Sequence, residues 1–196
     1  IGKQVIISTD GISMYFNVFE KGSSVTPIII NEDENGYIVR EDDSMIHYTN
    51  NKLQSEIYKF GAEEMLTNTL ISGDSVIFSI TEEVDNEIFN RVGVYNLSSS
   101  ELESMNYITS SDNCGPISIR AKLSDTKFLC RCSDDIHGYE PNLLNLTNSE
   151  IVLLKDINPN NTPDSFGFVR SDSNPYNFVE FDNKLFFTAD DGSVGR

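Results

Sequence analysis

Apolar and β-branched residues along this chain fall in short runs, each closed by a cluster of Asn, Asp, Gly or Ser. Runs of that kind with period-two alternation read as half-buried strands separated by turns. They predict strands at 4–8, 12–19, 25–30, 37–40, 45–49 and 56–60, and the same rhythm continues to the end of the chain. No segment keeps an apolar period of 3.6 residues between capping residues, and only Glu63-Glu64-Met65-Leu66 offers a single helical turn. The expectation is an all-β chain with little helix.

The pattern also repeats. A shift of 57 positions lays Asp182, Lys184, Asp191 and Gly195 on Asp125, Lys127, Asp134 and Gly138 without a gap. A shift of 49 lays Asn145-Leu-Thr-Asn-Ser-Glu on Asn96-Leu-Ser-Ser-Ser-Glu, and Ile57 to Met65 is a looser third copy. The dipeptides Asp43-Ser44, Asp74-Ser75, Asp125-Thr126 and Asp182-Asn183 open strands at intervals of 31, 51 and 57 residues. Their mean of about 46 suits one four-stranded propeller blade, which takes ~40–50 residues. The spacing therefore predicts a β-propeller-like array of about four blades of antiparallel strands, belonging to a larger ring. It is read as one domain over 1–196, with approximate blades at 1–42, 43–73, 74–124 and 125–196. Radial repetition leaves only short sheet edges.

The residues Val152 to Pro159, then Asn177-Phe178-Val179, then Asn183 to Gly192 with Gly195-Arg196, resemble the ELWxxDGT-type repeat, also called hyalin-like, of large extracellular proteins. The resemblance is clearest over residues 139–196. The Glu-Leu-Trp element appears only as Tyr139-Glu140-Pro141, and Leu146-Thr147-Asn148 stands where Asp-Gly-Thr would be. The chain stops at Arg196, where the next copy would begin, which predicts a fragment or processed piece of a longer protein. The resemblance implies an extracellular or cell-surface adhesion or interaction module, not an enzyme, with protein or glycan partners. A secreted propeller enzyme acting on glycans and a ligand-free spacer in a surface filament or coat are the alternatives.

Charge narrows the partners. The formal net charge is −17, from 31 acids against 14 bases. Nucleic acid and anionic membrane both select cationic surfaces, so neither is expected as a partner. No apolar run approaches the ~20 residues of a membrane helix, and no membrane insertion by this chain is expected.

Candidate chemistry is sparse. No Gly-x-Ser-x-Gly, Walker loop or His-Glu-x-x-His occurs, and of the two histidines His47 falls on a strand and His137 in an acidic turn. No catalytic residue is assigned. Asn31, Asp33 and Asn35, with Asp42 at the twelfth position, imitate a calcium loop, in which alternate oxygen ligands wrap a hard cation. The competing reading is a hairpin closed by Asn35-Gly36 as a type I′ turn. Calcium is thus the one cofactor considered. Asn96, Asn145 and Asn160 begin Asn-x-Ser/Thr glycosylation acceptors. Cys130 and Cys132 sit two apart on one strand face, so a disulfide would join Cys114 to either; three reduced, buried thiols are the alternative. Phe178, Phe181, Phe186 and Phe187 are expected to fill space between blades.

Overall fold

The computed structural model describes residues 2–7, 14–19, 25–30, 37–49, 54–110, 114–134, 136–160, 172–182 and 184–194. Among them there are sixteen strands and no helix. The chain is all-β.

The strands group in sequence order. A hairpin of β1 (Gly2–Ile7) and β2 (Met14–Phe19) comes first. Then β3 (Val25–Ile30), β4 (Tyr37–Glu41), β5 (Ser44–Tyr48) and β6 (Gln54–Lys59) form a four-stranded antiparallel sheet. Next come β7 (Glu64–Ser72), β8 (Ser75–Val84), β9 (Glu87–Asn96) and β10 (Glu101–Ser110). They are followed by β11 (Ser118–Lys122), β12 (Lys127–Asp134), β13 (Gly138–Asn145) and β14 (Glu150–Leu153). These eight make one sheet of order β11-β12-β13-β14-β10-β9-β8-β7. Its two end strands, β11 and β7, pack against each other, so the sheet nearly closes into a barrel-like wall. Last is a hairpin of β15 (Tyr176–Phe181) and β16 (Lys184–Thr188).

The strands predicted before residue 61 match β1 to β6 to within a few residues at each end. The helical turn expected at Glu63 to Leu66 is instead the start of β7, where Glu64 pairs with Glu82 of β8. β-branched Thr67, Thr69 and Ile71 suit a strand, and pairing along β8 overrides a local helical preference. The expected separation into four-stranded blades differs here, because β7–β10 and β11–β14 belong to one sheet. Hydrogen bonds join β7–β10 to β11–β14 through one short parallel bridge, Thr109–Ser110 against Glu150–Ile151.

The chain divides into two compact units, Ile1–Ala62 with Leu97–Glu101, and Glu63–Asn96 with Leu102–Arg196. In the first, consecutive residues Met45, Ile46 and His47 are all buried, so both faces of β5 are out of water. His47 is a fully buried core residue. The Arg40 guanidinium lies 4.8 Å above the Phe60 ring, and Tyr58 meets that ring edge-on at 5.2 Å.

In the second unit, Ile77, Val92 and Val94 face Ile117, Ile119, Phe128, Cys130, Cys132, Leu144 and Ile151. Polar groups stitch the same face: the Ser79 hydroxyl donates to the Ile117 carbonyl at 2.7 Å, and Asn90 Nδ2 donates to the carbonyls of Cys114 and Gly115, each at 3.1 Å. On the other face of the β8–β9 pair, Gly93 lies opposite Phe78, whose ring occupies the space a Cβ would need. The β8–β9 turn is Asp85-Asn86, both at positive φ (53° and 65°), which is the type I′ geometry of a two-residue hairpin.

Cys114 is bonded to Cys132 across 18 positions of sequence. Closing a loop of that size restricts the unfolded chain by the equivalent of about 3 kcal/mol. Cys130 keeps a free thiol, fully buried, donating to the Asn142 carbonyl at 3.4 Å. Burial pushes that thiol far above its ordinary pKa.

Candidate functional site

The richest polar geometry gathers at one end of the β12–β13 hairpin. Strand alternation turns Cys130 and Cys132 toward the apolar core, and their partners across the hairpin are Asn142 and Glu140. Glu140 therefore occupies an inward slot, with no exposure at all. A carboxylate there demands partners, and two loops supply them. Its Oε1 accepts the Ser173 amide at 3.0 Å; its Oε2 accepts the Ser173 hydroxyl at 2.6 Å and the Ile157 amide at 3.1 Å. Alongside, the Asn174 amide donates to the Tyr139 carbonyl and the Leu154 amide to that of Pro141, at 3.1 and 3.0 Å. The edge of β13 beyond the end of β14 is thus filled by loop backbone.

Acidic turns border this cluster. Asp134 Oδ1 accepts the amides of Ile136 and His137, while its Oδ2 sits 2.8 Å from His137 Nδ1. At the shift of 57, Asp191 Oδ1 accepts the amides of Ser193 and Val194 at 2.9 and 2.8 Å. The two turns thus use one hydrogen-bond pattern. Gly138 closes the first at φ +70°, and a Cβ on it would run into Asp172, whose Oδ1 accepts the Tyr139 amide at 2.8 Å. Asn158 Nδ2 donates to the Asp172 carbonyl and Asn160 Nδ2 to that of Asp191, each at 3.5 Å. Asp190 donates its amide to the Ser173 carbonyl at 2.8 Å.

The two inward carboxyls respond to pH in opposite senses. Burial pushes Glu140 above the usual carboxylate range, and the hydrogen bonds from Ser173, Ile157 and Asn158 only partly offset it. Burial also acts upward on Asp134, but the His137 amide, the His137 ring and the Ile136 amide outweigh it and hold that carboxyl low. A depressed carboxyl contributes stability that is complete above its unfolded-state pKa, near ~3.9, and is lost as pH falls through the lower folded value. A raised one does the reverse, costing stability as pH climbs from ~4.3 toward its folded value. Asp134→Asn is therefore expected to flatten the acid limb of the urea-midpoint profile below about pH 4. An unchanged acid limb in that variant would assign the protection elsewhere.

The residues singled out from sequence do not converge. Asn31, Asp33 and Asn35 lie outside the described residues, on the connection between Ile30 and its partner Tyr37. Asp42 is exposed in the two-residue β4–β5 turn at φ +49°, and its carbonyl accepts from Arg40 Nε at 3.3 Å. Among the described residues no three His, Cys, Asp or Glu side chains are grouped to hold a metal. Asn96 ends β9 and donates to Glu103 Oε1 at 2.9 Å; Asn145 ends β13 and accepts the Thr147 amide at 3.1 Å; Asn160 is exposed. The turns after Asn96 and Asn145 share a positive φ at Ser100 and Ser149, 56° and 57°. Cys114, Cys130 and Cys132 lie together in the core. Phe181 and Phe186 differ from expectation. They are 71% and 53% exposed, because the β15–β16 hairpin has two strands and one uncovered face; Phe178 and Phe187 stack at 5.2 Å.

A cleft of about 310 Å³ lies elsewhere in the second unit, floored by Ile77, Val94 and Phe128. Lys122 and Asp125 at its rim already pair at 3.0 Å.

Glu140, Asp172 and Ser173 were the residues that sequence reading missed as a group. The available signal was an acid at an inward position of an apolar strand. Comparison of the sequence with protein-family models and with curated proteins, and of the fold with solved structures, finds no match.

Proposed function

We propose that this chain is an interaction module of an extracellular or cell-surface protein, a propeller-like array whose loops meet protein or glycan partners. The observation that carries the reading is the grouping of strands. One four-stranded sheet, β3–β6, and one eight-stranded sheet built from two runs of four consecutive strands, β7–β10 and β11–β14, are flanked in sequence by two hairpins, β1–β2 and β15–β16, each with half the strands expected of a blade. Two dipeptide intervals, 51 and 57, run between equivalent first turns of such sets, whereas the interval of 31 starts one turn late, at β4–β5. The shared hydrogen bonding of the Asp134 and Asp191 turns supports copying of one unit. So does the resemblance to the ELWxxDGT-type repeat, whose glutamate corresponds to Glu140.

The Cys114–Cys132 bond supports an oxidising compartment. The carboxylates at the loop cluster support binding over hydrolysis, since Asp134, Glu140, Asp172 and Asp191 each accept backbone amides instead of facing one another across a gap. The test is an array of neutral and acidic glycans and extracellular matrix proteins probed with the purified chain. Saturable binding to one class, without cleavage, is expected. Release of shortened glycans would replace the reading with the enzymatic one, and an empty array with the spacer.

A further inference from the structure

The face of β11 and β12 turned away from the core carries two arginines. Ile119 and Cys130 pair across these strands and point inward, so Arg131, next to Cys130, points the other way, and Arg120 is the extra residue at the β-bulge between Ile119 and Ala121. Both guanidiniums lie over the ring of Tyr176, at 5.5 and 4.8 Å from its centroid, and Arg131 also covers Tyr139 at 4.1 Å. Two like charges are thus held against the same phenol.

Such an arrangement is costly unless something neutralises it. The ring faces offset part of that cost by cation–π attraction. They act on the guanidinium plane, however, and leave the in-plane N–H donors without acceptors. The Nε atoms of both arginines are shut off from water and have no hydrogen-bond partner. Among the described residues no carboxylate lies within ion-pair distance of either, in a chain with 31 acids. Burial first, and then Arg131, lower the Arg120 pKa, with Tyr176 acting in the opposite sense. Both arginines are partly exposed.

We propose that Arg120 and Arg131 form a binding site for a single oxyanion group, a carboxylate or sulfate, with Tyr139 and Tyr176 as its aromatic walls. A guanidinium matches either group with two parallel N–H donors. The parts of the two phenol rings that the guanidiniums leave uncovered suit a ligand in which the anion sits on a sugar or other apolar body. A chain of net charge −17 repels extended polyanions at long range, so the site selects one compact charge.

The experiment follows the Nε–Hε NMR signals of the full chain, titrated with sodium sulfate, sodium acetate, glucuronate and a galactose sulfate against sodium chloride at matched ionic strength. The Arg120 and Arg131 signals are expected to shift saturably with sulfate or acetate. Tighter binding of the sugar-borne anions would identify a glycan as the source; equal affinities would identify the free ion. Arg131→Gln is expected to weaken binding at least tenfold. Arg131→Lys keeps the charge but loses the fork, and should fall between; it also serves if the glutamine variant misfolds. Lys122→Gln should bind normally. Linear shifts equal to those with chloride, or saturable shifts that survive both Arg131 variants, would overturn the proposal.

Discussion

Glu140→Ala is expected to lower the unfolding free energy by about 3–5 kcal/mol, because it strands the amide of the fully buried Ser173 and the part-buried amide of Ile157, at roughly 1–3 kcal/mol per orphaned group. The loss should be local before it is global. Amide exchange at Ile157, Ser173 and Asn174 should accelerate more than at Ile77 or Phe128, since these loops depend on one carboxylate and the core does not. Glu140→Gln keeps one acceptor oxygen and should cost about half as much. Urea denaturation with exchange mass spectrometry reads both effects. A uniform rise in exchange would mean that Glu140 supports the whole unit and not the loop cluster.

The second large effect is expected at Phe78, which fills the space over Gly93. Phe78→Ala should cost about 3–5 kcal/mol through lost burial and the cavity left behind. Gly93→Ala should cost about 1–3 kcal/mol for the opposite reason, an overfilled core. The two are coupled. In the double variant the new methyl occupies part of the vacated ring volume, so the combined loss should be smaller than the sum of the separate ones by at least about 0.5 kcal/mol. Strict additivity in denaturation midpoints would show that ring and glycine do not share that space.

Strands were the most legible part of this chain. The short β-rich runs Tyr37-Ile-Val-Arg and Met45-Ile-His-Tyr, separated by the turn residues Asp42-Asp43, are enough to place β4, β5 and the turn between them. Turn chemistry was legible as well, because Asp134 and Asp191 hold their turns by the same local contacts and need nothing distant. What could not be read was pairing between remote segments. Nothing in the sequence near Glu64 says that it will pair with Glu82 and form an ion pair with Arg91, which in turn lies over Tyr107. The same holds for Glu140, whose partners are 17 and 33 positions away, one of them in the turn-rich run Ser171-Asp-Ser-Asn-Pro175. Spacing of Asp-Ser and Asp-Thr dipeptides was informative only to within one turn, since every hairpin accepts the same residues. Asp43 marks a different turn of its sheet from Asp74 and Asp125.

Cys130 lies two residues from one half of the Cys114–Cys132 bond and on the same face of β12. While the chain is still open, either thiol is close enough to be oxidised with Cys114, so refolding from the reduced state begins with a choice between isomers. Once β12 is packed, the remaining sulfur has almost no thiolate with which to attack its neighbour. Scrambling is thereby confined to the nascent chain, and the finished protein keeps whichever linkage the closing sheet selected.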